Sequence, residues 1–403
     1  MALPKGNAVI GQSGGPTVVI NSSLVGVIEG LKAANFGGKI LGAKNAVDGC
    51  MAGNFFDLKK ISQPNLHLLA GTPSSALGSS RRKPSPDDLK QLAETFKKNN
   101  VRYFFYIGGN DSSDTCRIVS EAAAAINYEM VAYHCPKTID NDLVCNDHTP
   151  GFASAAKFVA QAFIGDELDN KALPGIKINV IMGRHAGFLT AASVLGRAGP
   201  DNGPHLVYVP EVAFSIEKFL ADVDAVYKRL GRCVIAVSEG ITLADGTPVA
   251  QKLAETQGTA VERDAHGNIQ LSGSGALADA LAAEIKSKLK IKRVRADTFG
   301  YLQRSFSGLV SKVDAVEARA SGKLAAKMAL AGKFSTGSIT INRAPGKAYK
   351  AVYGRVELRD IAAKTKHLPT EWITKEGNQI TDGFVKYAAP LVGELPKIFQ
   401  FKF

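Results

Sequence analysis

Asn7-Ala8-Val9-Ile10-Gly11-Gln12-Ser13-Gly14-Gly15-Pro16-Thr17 runs directly into the helix-like segment Val19 to Ala34. A short β-prone run, a glycine loop and a helix together aim backbone N–H groups and a helix dipole at an anion, phosphate above all. The spacing Gly11-x-x-Gly14-Gly15 matches neither the dinucleotide fingerprint G-x-G-x-x-G nor the P-loop G-x-x-x-x-G-K-[ST]. Taken alone it fits a plain tight turn equally well.

The same design returns further along. Lys39 to Ala43 reads as a second strand. Leu77-Gly78-Ser79-Ser80-Arg81-Arg82 surrounds two guanidiniums with small residues, although a surface loop accounts for it as well. Pro86-Asp87-Asp88 opens a helix through Lys98, its acids in the first turn where the helix dipole favours them. Tyr103 to Ile107 is a buried-strand run that ends in Gly108-Gly109-Asn110-Asp111-Ser112, with a helix expected from Ser113 onward. Met130 to Tyr133 leads to Pro136-Lys137-Thr138-Ile139-Asp140-Asn141-Asp142. Pro136 stops regular sheet pairing, and Asp-Asn-Asp favours turns, so a polar turn is the simplest reading of that loop. In an open parallel α/β sheet, however, ligands bind at the carboxyl ends of strands, and a Lys among carboxylates suits an anionic substrate with a metal. Independent turns would rarely agree at three successive strand ends.

The pattern continues beyond Thr149-Pro150-Gly151-Phe152. A long helix is expected through about Leu168, then strands at Ile176–Ile181, Leu206–Val209 and Cys233–Ser238. These lead into Met182-Gly183-Arg184-His185-Ala186-Gly187, Pro210-Glu211 and Glu239-Gly240. Strand-then-helix alternation over this span describes a second α/β lobe. Residues 241–274 read as a flexible polar excursion in which His266 is a solvated loop histidine. A helix at Ala315–Leu330 and a strand at Ser338–Ile341 follow; the helix is rich in Ala, which can pack closely against a sheet. The C-terminal segment 346–403 has a mixed pattern. Its Trp372, the sole Trp, reads as packing.

Composition bounds the partners. The 403 residues are 45% hydrophobic and 21% charged, enough for two or three packed lobes. No apolar run approaches the roughly 18 residues that span a bilayer, and Met1 to Gly6 leads into a strand without a signal-like segment, so a cytoplasmic location is expected. The cysteines, Cys50, Cys116, Cys135, Cys145 and Cys233, have no paired metal-ligand spacing and an odd count, which argues for reduced thiols. The net charge of +12 implies anionic partners: nucleic acid, lipid or phosphorylated metabolites. The basic run Lys286–Arg295 interleaves Leu289, Ile291 and Val294 and so reads as a helix end entering a strand. No basic stretch alternates with aromatics, which argues against nucleic acid.

With these segments in hand, the chain resembles the phosphofructokinase family, and within it the pyrophosphate-dependent branch. The resemblance spans about residues 7–345. It rests on Gly11-x-x-Gly14-Gly15, Gly78-Ser79-Ser80-Arg81, Gly108 to Ser112, Pro136 to Asp142, Met182-Gly183-Arg184 and Gly300-Tyr301-Leu302-Gln303-Arg304, in that order. It implies an α/β fold of two doubly wound, Rossmann-like lobes with the active site in the cleft between them. The organisation it implies is one lobe from residues 1–150 plus about 305–345, a second from 151–304, and a C-terminal segment 346–403. The implied reaction moves a phosphoryl group from pyrophosphate to the 1-hydroxyl of fructose 6-phosphate with Mg2+, in a homodimer or homotetramer without nucleic acid or membrane partners.

Residue by residue, the resemblance implies Asp140 as the base, supported by Asp142 and Thr138, with Lys137 and Arg184 also catalytic. Gly11, Gly14, Gly15, Arg81, Gly109, Asp111, Ser112 and Lys137 would hold the donor. Thr138, Met182, Gly183, Arg184, Glu239, Arg295, Tyr301 and Arg304 would hold the sugar phosphate, with Arg295 reaching in from a neighbouring subunit. Asn110, Asp111 and Asp142 would bind the metal. ATP-dependent relatives carry Gly at the positions of Lys137 and Asp111. Here the ammonium attracts pyrophosphate while the carboxylate repels the α-phosphate of a nucleotide. The chain departs from the family pattern at Asn110, usually Asp, at Tyr301, usually His, and at Gly175, often Arg, where Lys177 is the nearest basic substitute. The competing expectations are an ATP-dependent enzyme and a non-catalytic sugar-phosphate-binding paralogue.

Overall fold

A computed structural model describes residues 3–257, 275–346 and 348–399. The strands among them are β1 (Asn7–Gln12), β2 (Ile40–Ala43), β3 (Phe55–Asp57), β4 (Val101–Gly108), β5 (Val131–Pro136), β6 (Ile176–Ile181), β7 (Leu206–Tyr208), β8 (Cys233–Ser238), β9 (Val294–Thr298), β10 (Thr336–Arg343) and β11 (Ala351–Val356). The chain divides into two compact units. The first comprises Met1–Ser154 and Arg304–Lys366, the second Ala155–Gln303 and His367–Phe403.

The first unit is built on one sheet of order β11-β10-β5-β4-β1-β2-β3. Its centre, β10-β5-β4-β1-β2, is parallel, and an antiparallel strand closes each edge. Both faces are covered, which is why these strands read as unbroken apolar runs. In β4, Tyr103, Phe105 and Ile107 pack in the core with Leu24, Ile28 and Ala326, while Val101, Phe104 and Tyr106 pack in the other with Val47, Phe96 and Val119. Burial of each such aromatic contributes roughly 1.5–3 kcal/mol. The helix Pro86–Lys98 begins where its capping box dictates: Ser85 accepts from the Asp88 N–H, and Asp88 accepts from the Ser85 N–H.

The Ala-rich helix Lys312–Leu330 packs against the helix Ile20–Ala33 at backbone contact distance. A Cβ on Gly26 would stand 2.1 Å from the Arg319 carbonyl oxygen, and one on Gly322 2.2 Å from that of Ser23. Glycine is needed at both for this approach. Arg319 pairs with Glu29 across the same contact and, against the opposing effect of burial, holds that carboxyl down to about 2.

The second unit has a wholly parallel sheet of order β7-β8-β6-β9. Its core joins Ile178, Val180, Ile235 and Val237 to Phe219, Leu281 and Ile285 from the covering helices. Arg232 and Glu167 form a buried two-pronged pair at 2.8 Å in both arms. The C-terminal stretch has more structure than its mixed pattern suggested. The strand β11 seals an edge of the first unit, and in the second Trp372 packs on Tyr387 at 4.7 Å between ring centroids, with Phe384 and Phe188 around it. Within the described part of the excursion expected over 241–274, Thr242 pairs with Pro248 and Val249–Gln257 is a helix. His266 lies outside the described residues. No helix among the described residues is long and apolar enough to cross a membrane, and the five cysteines are free thiols, with only Cys145 exposed.

Candidate active site

The sheet order puts three of the polar loops side by side, because β5, β4 and β1 are neighbours and parallel. After β1, Gly14 is fixed by its N–H to the Ser80 carbonyl and by Ser79 donating to its own carbonyl at 2.6 Å. The Gly78–Arg82 loop is thereby brought to the same strand end. Gly11 lies against the Tyr106 ring, 2.8 Å from where its Cβ would be. Arg82 is spent on structure, paired with Asp88 at 2.5 Å and with Asp48. Arg81 is exposed and acts electrostatically on Lys137.

After β4, the helix begins earlier than expected, at Asn110 rather than Ser113, with Gly109 as its N-cap. Asn110, Asp111 and Ser112 are therefore its first turn, and the positive end of the dipole lies at the strand end. This needs a glycine at 108, where a Cβ would meet the Ser112 hydroxyl at 2.0 Å.

After β5, Lys137 is 3% exposed and its ammonium donates to the Gly15 carbonyl at 2.7 Å. Burial pulls its pKa down to about 8; Asp140 and Asp142 oppose that fall, while Arg304 and Arg81 add to it. Thr138 accepts from the Asp140 N–H at 3.1 Å, and its hydroxyl also bonds to the Asp142 carboxylate. Burial raises the Asp142 pKa against the counter-effects of Thr138, Lys137 and Lys366. Arg304 belongs to this set geometrically: a Cβ on Gly15 would be 3.1 Å from its Nη1.

Asn110 tests whether a hard cation fits. Its Nδ2 donates to Asp142 Oδ2 at 3.2 Å, which leaves its Oδ1 buried and without a hydrogen-bond partner. A bare amide oxygen beside a carboxylate is a fitting donor set for Mg2+. Among the described residues no three His, Cys, Asp or Glu side chains converge as a metal cage, and Mg2+ is commonly held by few protein oxygens plus substrate phosphates.

In the second unit, Met182, Gly183 and Arg184 leave β6 next to Glu239 at the end of β8. Ser238 donates to the Gly183 carbonyl at 2.7 Å, and a Cβ on Gly240 would stand 2.0 Å from the Arg184 carbonyl oxygen. Gln303, 2% exposed, accepts from the Met182 N–H and donates to the Gly300 carbonyl, so it pins this loop to the turn that carries the half-exposed Tyr301. Arg295 is not part of this group. It pairs in register with Lys177 on β6, five residues before Met182, which is about 16 Å along a strand. Lys177 is itself engaged by Asp297.

Several contributors escaped the sequence reading. Gln12 and Asn21 form a buried amide network that accepts from the N–H groups of Leu77 and Ala76 and donates to the carbonyls of Thr72 and Ser74. Glu211, read in the sequence only as a polar strand end, accepts from the N–H groups of Gly187 and Leu368, and burial raises its pKa. Lys366 gave no signal, because it lies in the stretch of mixed pattern.

Glycine loops and a buried ammonium at adjoining parallel strand ends define an α/β protein that takes anionic ligands. The phosphofructokinase model matches residues 7–329, and the chain belongs to that family. The chain is 52% identical over 400 residues to the pyrophosphate–fructose 6-phosphate 1-phosphotransferase of Rhodospirillum rubrum, covering 99% of this chain and 97% of that protein. To the Halomonas elongata protein of the same name it is 37% identical, covering 96% of this chain and 91% of that one. The crystal structure of a pyrophosphate-dependent phosphofructokinase from Marinobacter aquaeolei matches with a TM-score of 0.84 at 33% identity, over 98% of this chain and 94% of that one.

Proposed function

We propose that this protein transfers a phosphoryl group reversibly between pyrophosphate and the 1-hydroxyl of fructose 6-phosphate, giving fructose 1,6-bisphosphate and phosphate. The observation that carries this reading is the buried Lys137 bonded to Gly15. A desolvated ammonium in a glycine-lined strand end suits a compact inorganic polyanion, and Asp111 in the adjacent helix turn repels the longer chain of a nucleotide. The Rhodospirillum and Halomonas relatives carry the name of this activity.

In this reading the first unit takes the donor. Lys137, Arg81 and the backbone at Gly11, Gly14, Gly15, Gly109 and Ser112 hold pyrophosphate. Arg304, expected from the resemblance on the sugar phosphate, lies beside Gly15, which supports a role across the sugar phosphate and the transferred group. Asp140 accepts the hydroxyl proton, while Thr138 and Asp142 orient it; phosphoryl transfer needs chiefly such positioning and charge neutralisation. Asn110, Asp111 and Asp142 would hold Mg2+, which would offset the charge of the donor phosphates. The second unit takes the sugar phosphate through Met182, Gly183, Arg184, Glu239 and Tyr301. Arg295, remote from that loop in its own sheet, serves a neighbouring subunit of a homodimer or homotetramer. The enzyme works in the cytoplasm.

Asp140→Asn tests the base. It should lower kcat by about 10²–10⁴-fold while calorimetric binding of fructose 6-phosphate persists; a rate near that of the parent would remove Asp140 from the role.

A further inference from the structure

Lys366 lies beyond residues 7–329 of the family match, yet it is tied to the acidic loop. Its backbone N–H donates to the Asp142 carbonyl at 2.7 Å. Its ammonium donates to the carbonyls of Asn146 at 3.0 Å and Asp147 at 2.9 Å, and to Asn141 Oδ1 at 3.5 Å. The preceding residue, Thr365, forms an antiparallel bridge with Leu143. Two consecutive residues thus grip the loop from Asn141 to Asp147 along its length.

This loop needs a scaffold. Asn141 and Leu143 are fully buried, and Asn141 sits at φ 59°, the left-handed region that side chains enter at some cost. Its buried main-chain carbonyls require donors. An ammonium loses much of its hydration when buried, and burial draws the Lys366 pKa down to about 8. Most other fixings of the loop lie at its ends: Thr138 bridges Gly151, and Asn146 and Asp147 bond the backbone of Ile341. Within the loop Asn146 Nδ2 donates to the Val144 carbonyl at 3.0 Å; the Lys366 ammonium adds donors at the Asn146 and Asp147 carbonyls and at Asn141 Oδ1.

We propose that Lys366 is a positioning residue for phosphoryl transfer, which fixes the backbone from Asn141 to Asp147 so that the Asp142 carboxylate stays on Asn110 and Thr138. The role rests on the phosphotransferase reading above, but its physical basis is separable from it. Lys366 touches the loop and not the reacting atoms, so its loss affects turnover more than sugar binding.

Lys366→Met keeps a flexible stem and the backbone N–H on Asp142 and removes the three ammonium bonds to Asn141, Asn146 and Asp147. Steady-state kinetics with pyrophosphate and fructose 6-phosphate should show kcat reduced about a hundredfold, the scale of a displaced catalytic group, with KM for fructose 6-phosphate changed by less than about twofold. Hydrogen–deuterium exchange should accelerate in peptides covering 141–147, at the Asp147 amide above all, and stay unchanged in β1 and β4. Lys366→Arg should recover part of both. Exchange in 141–147 at the parent rate overturns the proposal whatever the activity, as does an unchanged kcat beside an active parent. If Lys366→Met does not fold, Lys366→Leu, which also lacks a side-chain donor, is measured in the same two ways, and the same two results overturn the proposal. An inactive parent enzyme would sink the phosphotransferase reading alone, since faster loop exchange would still mark Lys366 as the clamp.

Discussion

The Lys137 ammonium donates to the Gly15 carbonyl at 2.7 Å and so ties the end of β5 to the glycine loop after β1, across the intervening β4. An ammonium has three N–H donors. One is spent on this tie, which leaves two for the pyrophosphate contact proposed above. Lys137→Gly removes both functions. Truncating one partner of a desolvated charge pair costs about 2–5 kcal/mol, so kcat/KM for pyrophosphate should fall by about thirtyfold or more while fructose 6-phosphate binding, followed by titration calorimetry, holds. An unchanged rate would show that the ammonium is no donor contact.

Burial also makes Lys137 a titrating group, with its pKa pulled down to about 8. In the proposed role only the charged form neutralises the donor, so kcat/KM for pyrophosphate should decline as pH rises through about 8. Stability moves the other way. The folded pKa lies below the unfolded value of about 10.4, so between the two the unfolded chain holds more protons, and this group's contribution to stability rises with pH. A pH–rate profile that stays flat well above pH 8 would contradict the assignment.

His148 is buried between Asp147 at 2.7 Å and Glu317 at 2.5 Å. Burial alone would lower its pKa, but the two carboxylates outweigh it and raise the pKa above the ordinary histidine value. Its contribution is therefore fully present below about pH 6.5 and is lost as pH rises through the raised value. His148→Gln should cost about 3–5 kcal/mol in urea unfolding at pH 6, the loss expected when a buried charge pair loses one partner. The gap to the parent protein should narrow as pH rises; a pH-independent gap would mean that the imidazole is held neutral.

The contact between Gly26 and Gly322 predicts an asymmetric tolerance of alanine. Gly26→Ala forces a Cβ to 2.1 Å from the Arg319 carbonyl oxygen, whereas a Cβ at Gly37 meets nothing within 4 Å. Overpacking costs about 1–3 kcal/mol or more, so Gly26→Ala should lower the denaturation midpoint clearly and Gly37→Ala should not. Equal midpoints would mean that the two helices can separate without cost.

Much of the fold could be read along the chain because its strands are buried on both faces. The runs at Tyr103–Ile107, Ile176–Ile181 and Cys233–Ser238 announce themselves without alternation, and Ser85-Pro86 with Asp88 marks a helix start to the residue. The donor-side loops were legible for the same reason: they end parallel strands. What stayed hidden depends on pairing between distant segments. Nothing at Asn110 signals that the helix takes in the loop, because that follows from a close approach over Gly108. Lys366 and β11 are short-range nondescript and acquire meaning only when folded against Asp142 and β10. The remoteness of Arg295 from Met182 is likewise a matter of register, which motif order does not carry.

The choice of phosphoryl donor tests the account most directly. Purified protein with Mg2+ and fructose 6-phosphate should form fructose 1,6-bisphosphate rapidly with pyrophosphate and barely with ATP, and should run backward with phosphate. Comparable or faster turnover with ATP would contradict the roles given to Lys137 and Asp111.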